Sequence, residues 1–353
     1  MSIRSDVLHG SAACVASGFF GNTAGGERVF LHTLANGGIT VRCLDFGGAV
    51  HSIEIPDRSG RAENVVLGFD GLKDYEHDRS WCGVLCGPVA GRVAGASVPL
   101  GEKVLSLEAN EGTTCLHSGS AGFSKSVWKG MTFCDGRIAG VRFSLSTLPG
   151  EWGFPGVLSV KAVYTLDGGG RLSLEWEAWS SEDTLFAPTF HGYFNLGGPV
   201  SVSVEDHRLL LRAGRYMPLD GHSLPRLPEP VGGTPFDFRS PRAPLPAEKF
   251  DHPFLPDEGR GADVPCAVLD HLPSGRRMEL FTDQPAVVFY GGRSLSPDQV
   301  FSGGRQGRPG LALALEPQWY PNAAALPGLP LPVLRKGERY TARSEWRFSL
   351  LPE

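Results

Sequence analysis

No apolar stretch in the 353-residue chain approaches the ~18 residues that a membrane-spanning helix needs. Basic runs are missing too. The formal charge of -5 is small and spread along the chain, which argues against nucleic acid or an anionic membrane surface as partner. The seven cysteines (Cys14, Cys43, Cys82, Cys86, Cys115, Cys134 and Cys266) contain no C-x-x-C pair. Cys82 and Cys86 stand four apart with no neighbouring His or Cys to complete a zinc set, so no metal site is expected. An odd, unpaired set reads as reduced thiols of a cytoplasmic protein. Also missing are G-x-G-x-x-G after a strand, G-x-x-x-x-G-K-[ST], H-E-x-x-H and the G-x-S-x-G elbow. Cofactor-dependent redox chemistry and phosphoryl transfer from ATP therefore have no support, and no cofactor is expected. The N-terminal segment mixes charges at Arg4 and Asp6 and breaks its apolar stretch at His9 and Gly10, unlike a secretory signal.

Hydrophobic residues at 41% supply enough apolar material for a large core. Helical periodicity is scarce. Short alternating segments dominate: Val29–His32, Ile39–Leu44, Val50–Ile55, Val141–Ser146, Leu158–Leu166, Leu172–Ala178, Val202–Leu211, Met278–Thr282, Val287–Tyr290 and Glu345–Leu350. Turn residues bound each of them, as expected for strands. Asp167–Gly170 reads as the turn of a hairpin. Proline-rich Pro218–Pro246 and Pro321–Pro332 read as long loops, because apolar anchors such as Phe236, Phe238, Leu326 and Leu329 interrupt them. These features predict an all-β fold, a large antiparallel β-sandwich, in a single domain over residues 1–353 with 1–24 as an N-terminal extension.

Three segments carry the chemistry. Leu116-His117-Ser118-Gly119 places a histidine among small residues, where it could reach a ligand or simply decorate a turn. Pro188–Leu196 places His191 in an aromatic strand, with Tyr193 two residues on and so on the same face. A partly desolvated histidine can be held in one tautomer there, or can be a satisfied core residue. Leu311–Asn322 ends an apolar run on Glu316, followed by Gln318. A carboxylate there is costly unless paired or working, and burial raises its basicity toward that of a general base. Arg92, Asp237, Arg239, Asp251 and His252 are charged loop residues that could support a polar ligand, and Trp81, Phe289 and Tyr290 offer flat faces for a pyranose.

Taken together these segments resemble the aldose 1-epimerase (galactose mutarotase) family. The resemblance rests on Asn64–Asp70 with Tyr75, Gly91-Arg92, Leu116-His117, His191-Gly-Tyr-Phe-Asn-Leu196, Gly233-Thr-Pro-Phe-Asp-Phe-Arg239, Asp251-His252-Pro-Phe254 and Glu316-Pro-Gln318, in the family's order and spacing from about residue 25 onward. It implies a β-supersandwich and a cofactor-free isomerase that interconverts the α and β anomers of an aldose. Glu316 matches the family's general base, which acts on the C1 hydroxyl, and His191 the general acid at the ring oxygen. Arg92, His117 and Asp251 match positions that bind the sugar, and Tyr193 and Gln318 join them as binding candidates. Two proton transfers of opposite sense need one acid and one base, expected on opposite sides of the ring.

Pro88, Gly91, Ser118 and Trp319 depart from the family pattern, and such departures are expected around the sugar hydroxyls. Three other functions compete. A hexose-6-phosphate 1-epimerase would add a cationic cluster, such as Arg293 or Arg305 beside the loop Gly303–Arg308. A non-catalytic sugar-binding sandwich would not require a matched acid and base. A glycosidase would need a carboxylate pair, which Asp251 and Glu316 could imitate. The expected partner is a monosaccharide; oligomeric state is not legible.

Overall fold

The computed structural model describes residues 12–245, 248–259 and 261–352. The segment first considered as a leader therefore falls mostly outside the described residues. Three antiparallel sheets organise the chain. A five-stranded meander runs Cys14–Asn22, Arg28–Asn36, Ile39–Leu44, Val50–Pro56 and Ala62–Asn64. An eight-stranded sheet has the order Lys129–Cys134, Ile138–Ser146, Leu158–Asp167, Arg171–Ser180, Tyr340–Leu350, Arg276–Thr282, Ala267–His271, His207–Leu211. A six-stranded sheet has the order Tyr193–Phe194, Leu313–Gln318, Ala286–Tyr290, Asp251–Leu255, Arg215–Tyr216, Glu229–Pro230. Residues 14–22, expected to be part of an extension, are thus an edge strand of the first sheet.

Alternation explains why these segments become strands. Along Leu158–Asp167, Leu158, Val160, Ala162, Tyr164 and Leu166 are buried while the residues between them are not. Asp167 caps the following turn through its carboxylate, which accepts from the backbone N–H of Gly169 and Arg171. The predicted hairpin forms around it, with Leu166 opposite Leu172. One expected strand is shortened. Pairing begins only at His207, because Ser203 and Ser201 close turns through residues 198–207. The core between the sheets is aromatic, with Trp128, Trp346, Tyr164, Phe143, Phe186 and Phe190 almost fully buried.

The six-stranded sheet positions the cleft. Leu313–Gln318 is buried at every residue, because strands cover both its edges and side chains pack on both its faces. Leu313 and Leu315 enter the main core, so Ala314, Glu316 and Gln318 take the other face. Among the described residues no helix is long and apolar enough to cross a membrane.

Candidate active site

Register turns that sheet face into one wall of a cleft of about 390 Å³, a size that suits a single small ligand. Glu316 stands opposite Val288, Ala314 between Tyr193 and Tyr290, and Tyr290 opposite Asp251. Cross-strand partners share a face, so this register alone gathers Tyr193, Tyr290, Asp251, Val288, Glu316 and Gln318 around the cleft. Loops complete the lining with Trp81, Gly91, Arg92, Glu111 and His117.

His191 interrupts the strand pairing between Thr189–Phe190 and Tyr193–Phe194, and its backbone is pinned to Val84 and Gly83 instead. Its Nε2 lies 3.5 Å from Glu316 Oε1, with both side chains buried. The approach resembles an ion pair, yet burial pushes both groups toward their neutral forms. It lowers His191 from the usual 6.5 to about 4 and holds the Glu316 carboxyl well above its usual range, with nearby Asp251 adding to the rise. Burial thus favours a pair that shares one exchangeable proton. At 3.5 Å the proton is not locked in a short hydrogen bond. His191 Nδ1 and Gln318 Oε1 are both buried without a hydrogen-bond partner among the described residues. Orphaned polar atoms at a cleft are groups left for a ligand to satisfy.

His117 stands in a left-handed turn (φ 52°), next to Ser118 at φ 68°. Its backbone N–H donates to Gly91 O at 3.1 Å, and the Gly91 N–H donates back to His117 Nδ1 at 3.2 Å. Nδ1 is therefore the acceptor and Nε2 carries the proton, a tautomer assigned from the hydrogen-bond network. Burial, then the neighbouring His191, holds His117 neutral. Its ring forms an arc with Trp81 at 4.8 Å and His191 at 5.4 Å, and Tyr193 continues the arc 5.0 Å from His191. Arg92 donates to Glu111 at 2.6 and 3.0 Å and to Asp251 at 3.1 Å. This fixes a guanidinium and a carboxylate side by side over the cleft. Asp251 is raised by burial against the opposing pull of Arg92.

All seven residues singled out in the sequence line this one cleft: Arg92, His117, His191, Tyr193, Asp251, Glu316 and Gln318. Three details of the sequence reading change. His191 and Glu316 stand side by side rather than across a ring. Tyr193 is buried and spends its hydroxyl on Ser80 O at 3.0 Å, so it serves as wall more than as a stacking platform. Of the four departures only Gly91 lines the cleft. Ser118 Oγ is consumed by the backbone of Val89, accepting and donating at 2.9 Å. Trp319 donates to Pro330 O at 2.8 Å and packs in a side cluster. Pro88 sits in the backbone behind, its carbonyl accepting from the Ala187 N–H. At Gly91 (φ 75°) a Cβ would come 2.6 Å from Pro321 Cβ, so no side chain fits there.

Of the other candidates Trp81, Tyr290 and Arg293 also line the cleft, and the rest lie elsewhere. Asp237 and Arg239 pair with each other in an exposed loop. His252 packs on Phe236 and Tyr216, Phe289 is in the core, and Arg305 donates to Ser201 O. Glu111, Arg79, Val288 and Ser223 line the cleft without having been singled out. Asn110 was legible in principle, since the Asn-Glu-Gly turn before Leu116 invites a side chain to cap it; Asn110 bonds both N–H and C=O of Leu116. No metal was expected, yet His117, His191 and Glu316 bring ligand atoms within 4.8 Å of one another and could hold a divalent ion.

The aldose 1-epimerase family model matches residues 31–347. Human galactose mutarotase is 34% identical over 346 residues, covering 96% of this chain and 99% of the human protein. Aldose 1-epimerase of Escherichia coli K12 is 30% identical, covering 92% and 96%. Among solved structures, a GalM/aldose epimerase homologue from C. elegans superposes with a TM-score of 0.85 at 26% identity, and galactose 1-epimerase from Lactobacillus acidophilus with 0.83 at 27%. Each match covers 96% of this chain and all of the other.

Proposed function

The chain belongs to the aldose 1-epimerase family and is an isomerase of the mutarotase type, and we propose that it interconverts the anomers of a free aldohexose through His191 and Glu316. The carrying observation is the 3.5 Å separation of His191 Nε2 and Glu316 Oε1, both buried in the lining of the cleft. The C1 hydroxyl and the ring oxygen are bonded to the same carbon. An acid and a base that serve them in concert therefore need to be neighbours.

One proton on the pair is enough. With it on His191, the Glu316 carboxylate takes the C1 hydroxyl proton while the imidazolium delivers its own to the ring oxygen, and the C1–O5 bond opens. The open aldehyde turns about C1–C2, and the new O5 hydroxyl adds to its other face. Glu316 then protonates the carbonyl oxygen while His191 takes the O5 proton, so the reaction is proton-neutral. The sugar's two oxygens take the place of water in stabilising the charge-separated form of the pair. His117 Nε2–H, Arg92, Asp251 and Gln318 offer donors and acceptors for the remaining hydroxyls, and the Trp81 ring offers a flat face. Seven cysteines, five of them buried, suit a reducing cytoplasm.

Anomer exchange of freshly dissolved glucose and galactose, followed by polarimetry, tests this reading. Catalytic amounts of the protein should speed equilibration of at least one aldose. An unchanged rate with every aldose tried would overturn it.

A further inference from the structure

The cleft's mouth carries two guanidiniums that nothing in the mechanism above uses. Arg79 and Arg293 both line it, both are exposed, and neither makes a hydrogen bond or ion pair among the described residues. The cleft's third arginine, Arg92, is by contrast tied to Glu111 and Asp251. The turns that carry the two free arginines are pinned. Tyr290 Oη donates to Ser294 Oγ at 2.7 Å and accepts from the Ser294 N–H at 2.6 Å, which closes the turn bearing Arg293. Asp78 accepts from the backbone of Ser80 and Cys82, which closes the turn bearing Arg79. Gln299 then ties the second loop to the first, donating to Ser80 Oγ at 3.0 Å.

Their place relative to the acid–base pair matters. The Tyr193 ring lies tilted 5.0 Å from that of His191, bonds Ser80 through its hydroxyl and lies 6.1 Å from Tyr290. Arg79 adjoins Ser80 and Arg293 lies three residues beyond Tyr290, so both turns border Tyr193, the neighbour of His191. In a sugar whose ring oxygen meets His191, the neighbouring carbon is C5, and its substituent C6 points to that side. The hydroxyls beside the two arginines are engaged within the protein, Tyr290 Oη with Ser294 Oγ and Ser80 Oγ with Asp78 and Gln299.

We propose, resting on the epimerase reading, that the preferred substrate is an anionic aldose, a hexuronate whose C6 carboxylate is held by Arg79 and Arg293. Guanidinium donors match a planar carboxylate. Among the described residues no cleft-lining residue belongs to a helix, so these offer no helix N-terminus of the kind that cradles phosphate.

The test compares catalysed anomer exchange of glucuronate and galacturonate with that of glucose, galactose and glucose 6-phosphate, by NMR on the full chain. A hexuronate should exceed its parent hexose about tenfold or more in kcat/KM, an advantage that shrinks as salt rises. Arg79→Gln with Arg293→Gln should bring that ratio down to about one, mostly through KM. A ratio near one in the wild type, or one that the double variant leaves unmoved, would overturn the proposal. Glucose 6-phosphate as the favoured substrate would overturn the carboxylate assignment. Absence of exchange with every sugar would instead overturn the epimerase reading on which it rests.

Discussion

Two buried histidine–carboxylate pairs in this molecule share chemistry and differ in use. In the five-stranded sheet, His32 Nε2 lies 2.9 Å from Asp45 Oδ1, and His32 Nδ1 lies 2.8 Å from Ser17 Oγ on the neighbouring strand. Asp45 accepts further from the N–H groups of Phe30 at 3.0 Å and Gly130 at 3.1 Å. Every side-chain polar atom of that pair has a partner. Beside the six-stranded sheet, His191 stands farther from Glu316, at 3.5 Å. Among the described residues His191 Nδ1 and the nearby Gln318 Oε1 lack partners, and the pair opens on the cleft. A saturated network staples strands together, whereas an unsaturated one holds potential for a ligand. Burial and residue type alone do not separate the two. Counting unmet hydrogen bonds does.

That contrast can be broken by substitution. The largest expected effect is on turnover: His191→Asn should lower kcat by about a thousandfold, while His32→Asn should leave turnover per folded molecule within about twofold. Anomer exchange normalised to folded protein checks this, and equal losses in the two variants would erase the distinction. Next in size is stability. Asp45→Ala strands three donors and should cost about 3 kcal/mol in urea unfolding. Gly130→Ala attacks the same staple from the other side, because its Cβ would come within 2.3 Å of His32 Nε2 and 2.4 Å of Asp45 Oδ1. A cost of roughly 2 kcal/mol is expected.

The smallest effect has the opposite sign. Burial raises the Glu316 carboxyl, so the unfolded chain ionises it first. The stability it contributes is complete below its usual 4.5 and is lost as pH rises toward its folded value. Glu316→Gln should therefore melt higher than the wild type, by about 1 kcal/mol at neutral pH, with the gap widening from pH 4.5 upward. Melting curves across pH measure it; a variant less stable at pH 8 would show that Glu316 is a structural partner like Asp45.

Much of this was legible in the sequence, for identifiable reasons. Strands such as Leu158–Asp167 announced themselves because one face is wet and the other dry. Glu316 stood out because an apolar run has no reason to end on a carboxylate. What escaped depended on distant loops. Ser118 looked like sugar recognition until its hydroxyl was found spent on Val89, twenty-nine residues away in the chain. Glu111 and Arg79 gave no signal because a surface charge reads the same whether its turn faces solvent or a cleft. The side-by-side pair depended on the register of Leu313–Gln318 and on where His191 breaks its own strand, and neither is written locally.

The proposed mechanism requires His191 and Glu316 to act as one acid–base unit on two oxygens of one carbon. It is tested most directly by measuring sugar affinity and anomer exchange on the same sample of Glu316→Gln. Exchange at saturating sugar should fall by about a thousandfold while Kd stays within about threefold of wild type. Exchange near the wild-type rate, or a loss explained wholly by weaker binding, would contradict the claim.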